Sequence, residues 1–282
     1  MKKVALLTAI LTLTLIFGKN VYAGPPLVNL EGVGGIAFNP LAYPSDGGEL
    51  TSAFGQEVLG KPRFGVWYAN LGDPKIDWTS FGVADTLFKR LEISYAQEAV
   101  SWVGHPTFHK NNIGSKLLLL NENAFGTKFV PAISVGTIYK TTSDKSIHEL
   151  GLPLRTTGQD WYAVATKTIT QLPLPVIVSG GILSSQEFVT GVLGFNNKRK
   201  TTGFANADVV LPHGIVAGYE FKQGEHYAKV QNTNYWDLHL AWLASDKLTL
   251  VAAYTNTGVY GKTKDTRTGL GDGFVLSAHY AF

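Results

Sequence analysis

The sequence predicts an all-β protein, a transmembrane antiparallel β-barrel of about twelve strands. From residue 63 on, apolar and polar side chains alternate in short segments, which is the period of a strand with two different faces. Short and long connections also tend to alternate between these segments. Charged residues make up only 16% of the 282 residues, against about 25% in an ordinary soluble domain.

The first 23 residues are typical of a secretory signal peptide. Lys2 and Lys3 form a basic start, and the stretch from Val4 to Phe17 is apolar and uncharged. This stretch is shorter than the ~20 residues of a membrane-spanning helix, and a small-residue cleavage site follows it, ending at Ala23. Cleavage there would leave 21 of the 24 basic residues against 21 acidic ones. A mature chain without net charge gives no reason to expect a nucleic-acid partner.

Residues 24–62 form the next segment, which is rich in Gly and Pro and shows no clear strand pattern. Two placements stay open for it, either in the periplasm or inside the barrel as a plug of the lumen. The barrel itself is expected to comprise residues 63–282.

Twelve alternating segments build this barrel. The predicted strands are 63–70, 76–85, 89–98, 112–120, 129–140, 159–169, 174–185, 201–210, 214–222, 233–243, 247–257 and 272–282. Tight turns such as 211–213 are expected at one end, and long polar loops such as 186–200 at the other. This asymmetry is typical of outer-membrane barrels, whereas a soluble β-sandwich has no reason to place its long loops at one end.

The last strand carries an expected assembly signal on its apolar face. That face contains Phe274, Leu276, Tyr280 and Phe282. A terminal Phe after an alternating strand resembles the signal by which the outer-membrane assembly machinery recognises barrel proteins. Both ends of the barrel are then expected in the periplasm, since the strand count is even. The expected location is the cell outer membrane, with outer-membrane lipid and the assembly machinery as partners.

Charged residues fall on the face opposite the apolar one, which predicts a polar lumen. A lipid-facing Lys or Arg at mid-depth would cost ~2–4 kcal/mol. The predicted lumen-lining residues are Arg90, Glu92, Lys116, Glu220, Lys222, Asp237, His239 and His279. Such a lining either selects solutes in a channel or forms an internal network that fills and stiffens the barrel.

No motif marks a cofactor, a metal site or a catalytic site. The chain has no Cys, which excludes thiolate metal ligands. The glycines of 32–35 lack the strand, helix and Lys of a phosphate loop. His105 and His109 are spaced for a metal on a helix, but the intervening Pro106 and an expected loop argue against one.

Several motifs spread over the chain support the barrel fold through their resemblance to a protein family. They are Leu30–Tyr43, Val164–Lys167, Gln171–Pro175, Gly191–Phe195, Tyr235–Asp237 and Gly269–Gly273. Together they resemble a family of proteobacterial proteins, the domain-of-unknown-function family 3034. The resemblance covers nearly all of the mature chain and implies a Gram-negative outer-membrane barrel. It implies no catalytic or ligand-binding residue.

Three functions follow as hypotheses. The first is a passive channel or uptake barrel for a small solute, indicated by the polar inward faces and long loops. The second is a structural or anchoring barrel with a filled lumen and no transport. The third is an outer-membrane enzyme acting on lipid through Ser277, His239 and His279, but no motif supports it, so no enzyme is expected. Twelve strands lie between the filled eight-stranded barrels and the aqueous 16–18-stranded porins.

Overall fold

The computed structural model describes residues 27–45, 51–53, 56–72, 75–143, 154–226, 231–258 and 267–282. Twelve strands in this part of the chain form one antiparallel barrel. They are β1 (Arg63–Leu71), β2 (Ile76–Leu87), β3 (Leu91–Trp102), β4 (Phe108–Leu120), β5 (Ala132–Thr142), β6 (Thr157–Ile169), β7 (Val176–Glu187), β8 (Phe195–Leu211), β9 (Ile215–Lys222), β10 (Tyr235–Leu243), β11 (Leu248–Asn256) and β12 (Asp272–Ala281). The expected signal peptide, residues 1–23, lies outside the described residues.

The sheet closes because β12 pairs with β1. Ala281 lies opposite Arg63, and Gly273 lies opposite Leu71. Every other barrel strand pairs antiparallel with its neighbours in sequence. A closed sheet leaves no strand edge without a partner. The predicted all-β fold and its count of about twelve antiparallel strands are therefore confirmed.

The two ends of the barrel differ less than the sequence predicted. We call the end with Arg63 and Ala281 the terminal rim and the other end the far rim. β4 begins at Phe108 rather than at residue 112, and β8 begins at Phe195 rather than at residue 201, so two predicted far-rim loops are shorter. Polar residues follow the first Phe of each of these two strands on both faces, so no apolar face marks these residues as part of a strand. The terminal rim in turn includes a long connection, 121–131.

Residues 27–45 lie inside the barrel, and we call them the plug. Leu27–Val28 pairs antiparallel with Gly34–Gly35 in a small hairpin. Val28, Val33 and Ala42 have no exposed surface. Of the two placements left open by the sequence, the lumen is therefore the one that these residues occupy. Thr51–Ala53 and Gln56–Leu59, further along the segment, pair with each other, and Leu59 pairs with Leu87 of β2 near the terminal rim.

Glycines of the inner wall make room for the plug. A Cβ at Gly82 of β2 would lie 2.7 Å from Cγ1 of Val28, and a Cβ at Gly114 of β4 would lie 2.7 Å from Cγ1 of Val33. Larger residues at these two positions would occupy the space that the plug takes. The inner surface of the wall is thus shaped to accommodate the plug.

The outer face of the barrel is apolar. Exposed side chains on it include Val66, Phe81, Ile93, Ile113, Leu238, Leu240 and Leu276. A belt of this kind is typical of a surface that meets lipid or another protein rather than water. Among the described residues, no helix is long and apolar enough to cross a bilayer.

Candidate functional site

Most of the predicted lumen-lining residues are buried inside the barrel. These are Glu92, Lys116, Glu220, Lys222, Asp237, His239 and His279. Arg90 is different, because it is exposed in the turn before β3, where its guanidinium donates hydrogen bonds to the carbonyls of Leu118 and Leu119. Its placement in the lumen was wrong, since β3 begins only at Leu91 and the alternation does not extend into the turn.

The residues of the expected assembly signal lie on the outer face at the last strand. Phe274, Leu276, Tyr280 and Phe282 are all exposed. Phe282 packs against the rings of Phe64 and Tyr280, so the end of the chain adds to the apolar belt. Recognition by the assembly machinery stays a prediction.

Glu92 and Lys116 hold the first turn of the plug. They lie opposite each other on β3 and β4, with 2.9 Å between Lys116 Nζ and Glu92 Oε2. Glu92 accepts hydrogen bonds from the backbone N–H groups of Gly34, at 2.7 Å, and Ser45, at 2.6 Å. Lys116 donates to the carbonyl of Gly34 at 2.9 Å. The pair thus binds donors and acceptors of the plug backbone at once.

Glu220 of β9 holds the middle of the plug. Its carboxylate accepts hydrogen bonds from three consecutive backbone N–H groups, those of Ala37 at 3.2 Å, Phe38 at 2.8 Å and Asn39 at 2.8 Å. Hydrogen bonds to an ionised acceptor are about twice as strong as neutral ones. The Asn39 side chain donates in turn to the carbonyl of Phe221 at 3.0 Å.

A buried ion network joins the plug to strands β4 to β7 of the wall. Glu31 is the one charged residue of the plug. Its Oε1 lies 2.8 Å from Lys110 Nζ and 2.5 Å from Lys140 Nζ. Lys140 also contacts Asp160 at 2.6 Å and Glu187. One ammonium group therefore lies among three buried carboxylates, which come from the plug and two different strands.

The network continues along the wall on both sides. Glu98 lies 3.0 Å from Lys110 and accepts hydrogen bonds from Trp78 Nε1 and Asn112 Nδ2. On the other side, Lys222 lies 3.3 Å from Glu187. With the plug in place, strands β3 to β7 and strand β9 are thus linked through charged groups.

His239 of β10 bridges two aspartates. Its Nδ1 lies 2.7 Å from Asp237 and its Nε2 lies 2.8 Å from Asp208 of β8. An ionised carboxylate only accepts hydrogen bonds, so both contacts are hydrogen bonds when both ring nitrogens carry protons. Gly218 lies between His239 and Asp208 in the sheet register, and a Cβ there would collide with both side chains. The bridge therefore depends on a glycine in the intervening strand.

Ser277 and His279 form a separate pair on β12. Ser277 Oγ lies 2.8 Å from His279 Nε2, and the His279 ring packs edge-on against Trp67 at 5.0 Å. In the described part of the chain, His279 Nδ1 has no hydrogen-bond partner, so no carboxylate orients this imidazole. Both side chains are buried inside the barrel, at 8% and 1% exposure. His239 bonds to its aspartates instead, so the three residues of the lipid-enzyme hypothesis do not act as one group.

The sequence did not identify several members of the ion network and of the His239 bridge. These are Glu31, Glu98, Lys110, Lys140, Asp160, Glu187 and Asp208. Glu98 lies six residues after Glu92, and Lys110 six before Lys116, so each shares a strand face with a residue that was identified. The same alternation would have found both, had it been followed to the far ends of β3 and β4. Glu31 carried no such signal, because the plug has no strand period.

A family model described as "Protein of unknown function (DUF3034)" matches residues 27–270. No curated protein matches the chain. Solved structures of similar fold include the Acinetobacter baumannii outer membrane protein Omp33, with a TM-score of 0.45, 8% identity and coverage of 80% of this chain and 98% of that one. Salmonella typhi OmpF in complex with daunomycin has a TM-score of 0.40 and 7% identity, with coverage of 79% of this chain and 97% of that one. Outer membrane phospholipase A from Escherichia coli has a TM-score of 0.39 and 9% identity, with coverage of 78% of this chain and 95% of that one.

The ion network predicts a large effect at Lys140. Replacing Lys140→Met leaves Glu31, Asp160 and Glu187 close together without an ammonium group. We expect the free energy of unfolding to fall by ~3–5 kcal/mol, measured by urea titration of the protein refolded in lipid vesicles. Adding Glu187→Gln to Lys140→Met should recover part of this loss, because it removes one of the stranded charges.

The matched control is Lys167→Met. Lys167 pairs with Glu122 at 2.9 Å, but the two side chains are 16% and 19% exposed. Partly exposed pairs contribute about 0–1 kcal/mol. Equal losses in the two lysine variants would contradict a structural role for the buried network.

Proposed function

The chain belongs to the DUF3034 family of proteins of unknown function, and we propose that it is an integral outer-membrane barrel whose lumen is closed by the plug and passes small solutes when the plug leaves. The solute passage is passive, through the polar interior. The single observation that carries this proposal is the way the plug is held, by hydrogen bonds and ion pairs to polar wall residues.

The apolar outer face supports the membrane location. Most barrel strands have 9 to 13 residues, for example β1 and β4, and a tilted strand needs about 9–11 to cross the hydrocarbon layer. Most charged side chains of the barrel strands are buried inside the barrel, whereas Ile113 and Leu238 are each 56% exposed on the outside. A water-soluble barrel would have the opposite arrangement.

The polar wall supports a lumen with two states. Glu92, Lys116 and Glu220 bind backbone groups of the plug. Water molecules donate and accept hydrogen bonds as the plug backbone does, so these side chains lose little hydrogen-bonding free energy when water replaces the plug. A dry apolar wall would not tolerate water in this way. The wall is therefore compatible with a closed lumen and with a water-filled one.

The second candidate is a structural or anchoring barrel that never opens. It is favoured by the contacts of Glu31 with Lys110 and Lys140, which tie the plug into the wall through buried charge. A lipid-acting enzyme has less support, because Ser277 and His279 are buried in the interior and no carboxylate among the described residues orients the imidazole.

Planar-bilayer recording separates the two candidates. The wild-type chain should give no steady conductance in KCl, because the plug fills the lumen. Gly35→Val should give conductance steps, since a Cβ at Gly35 would collide with the carbonyl oxygen of Asn39 and prevent the plug turn. Gly180→Val is the matched control, because a Cβ there comes no closer than 3.8 Å to any atom beyond its two chain neighbours. It should stay closed.

A second plug variant protects this experiment against misfolding. Gly34→Val should also open the barrel, since a Cβ at Gly34 would lie 2.6 Å from Glu92 Oε2 and 2.8 Å from Lys116 Nζ. Closed lumens in both variants, with far-ultraviolet circular dichroism of a folded barrel, would contradict the channel and leave the structural barrel.

A disulfide tether tests whether movement of the plug opens the lumen. The chain has no Cys, and Val28 approaches Gly82 closely enough for a Cys pair at these positions. In the Gly34→Val background, Val28→Cys with Gly82→Cys should lower the conductance when oxidised, and reductant should restore it. Conductance that is indifferent to reductant in a verified disulfide would show that current does not depend on plug movement.

The membrane location predicts a depth-dependent cost of charge on the outer face. Ile113→Arg, near the middle of β4, should lower the free energy of unfolding by ~2–4 kcal/mol, measured by urea titration in lipid vesicles. Val103→Arg is the control, because Val103 is 74% exposed in the turn before β4. It should change stability by about 0–1 kcal/mol. Similar small effects at both positions would mean that β4 does not face lipid.

A further inference from the structure

The buried interior of the barrel carries more acidic than basic side chains. Among the described residues, nine Asp or Glu side chains are buried, against five Lys or Arg. Withdrawal of the plug removes only Glu31 from this set. The wall that would then line an open lumen still has an excess of three carboxyl groups, which a protonated His239 reduces to two.

This acidic excess is unevenly distributed. Lys110, Lys140 and Lys222 lie in the ion network with their own carboxylate partners. On β8, β9 and β10, by contrast, Asp208, Glu220 and Asp237 lie together. Within the described residues, His239 is the one basic side chain in ion-pair contact with any of these three. This part of the wall is therefore the most negative.

Two buried acceptors in the same place have no donor. Asn206, Glu220 and Asp237 lie side by side across β8, β9 and β10 on the inner face. Asn206 donates from Nδ2 to Asp208 at 2.9 Å, but its Oδ1 has no hydrogen-bond partner, and neither has Asp237 Oδ2. These residues are 4% and 0% exposed. A buried acceptor without a donor is unfavourable, because it has lost its hydrogen bonds to water, so the row suits a positively charged or N–H-rich occupant.

The plug already presents such donors at this row. Three N–H groups, from Ala37, Phe38 and Asn39, converge on the Glu220 carboxylate. An ammonium group also has three donors, and a guanidinium group has five. The plug backbone thus occupies Glu220 in the manner of a small cation.

We propose that the opened lumen is selective for small cations, which replace the plug backbone at the row formed by Asn206, Glu220 and Asp237. This inference rests on the proposed channel function and names its class of solute. Anions are disfavoured, because the acidic excess lies in a narrow interior with low-dielectric walls, where unbalanced charge produces potentials of several kT.

The experiment measures the reversal potential of opened full-length protein. Gly35→Val, with Gly34→Val as the second background, is placed in planar bilayers under a roughly tenfold KCl gradient. The more concentrated side is about 0.1 M, where electrostatic screening acts over about 10 Å. We expect a permeability ratio of K⁺ to Cl⁻ of about 3 or more. Guanidinium chloride in place of KCl should also carry cation current.

Substitutions in the row test whether its carboxylates produce the cation selectivity. Glu220→Gln together with Asp237→Asn, in the opened background, should bring the ratio to less than half of its value. Asp77→Asn is the matched control, because Asp77 is exposed on the outer face of β2, and it should leave the ratio unchanged. Asp237→Asn alone provides a second variant if the double variant does not fold.

The outcomes separate the two proposals. No current in either opened background would overturn the channel itself. Current with a ratio at or below 1 would overturn cation selectivity and leave the channel in place. A ratio that the double variant does not change would show that the row on β8, β9 and β10 is not where cations are selected.

Discussion

The ammonium group of Lys140 lies among three buried carboxylates, and much of the interior depends on this contact. Glu31 comes from the plug, whereas Asp160 and Glu187 come from β6 and β7. Like charges this close repel one another strongly at low dielectric. The ammonium group of Lys140 attracts all three carboxylates and offsets this repulsion, so the plug and two wall strands share one counter-charge. The position of the plug therefore depends on charged groups of the wall as well as on the shape of the wall.

A second constraint comes from the two faces of each strand. The outer face is largely apolar, and most charged side chains of the strands are buried inside the barrel, where each needs a partner. Wall residues alone supply part of these partners, as at Glu98 and Lys110. The plug supplies others through its backbone, as at Glu220. Inner-wall glycines such as Gly82 give this backbone the space to approach the wall. Charge placement and cavity shape thus lead to the same filled lumen.

The strand period accounts for what could be predicted from the sequence. It located all twelve strands and seven inward-facing residues, because alternation records which side of a strand is apolar and which is polar. It placed Arg90 wrongly, since a turn next to a strand can continue the pattern by chance. It missed the starts of β4 and β8, where polar residues on both faces follow the first Phe. The plug was beyond its reach, because Glu31 and its neighbours have no period and are ordered by contacts with distant strands.

A filled lumen and a channel are compatible when the filling is polar. Apolar packing would exclude water after the plug moved, so the emptied space would collapse or stay dry. Here the wall residues that contact the plug include Glu92, Lys116 and Glu220, which bind water as readily as backbone. In the proposed channel, the same groups that contact the plug would line the open path, and the sign of their charge would decide which solutes enter it. If the barrel opens as proposed, closure and selectivity depend on one set of side chains, and a change that weakens closure is expected to reveal the selectivity.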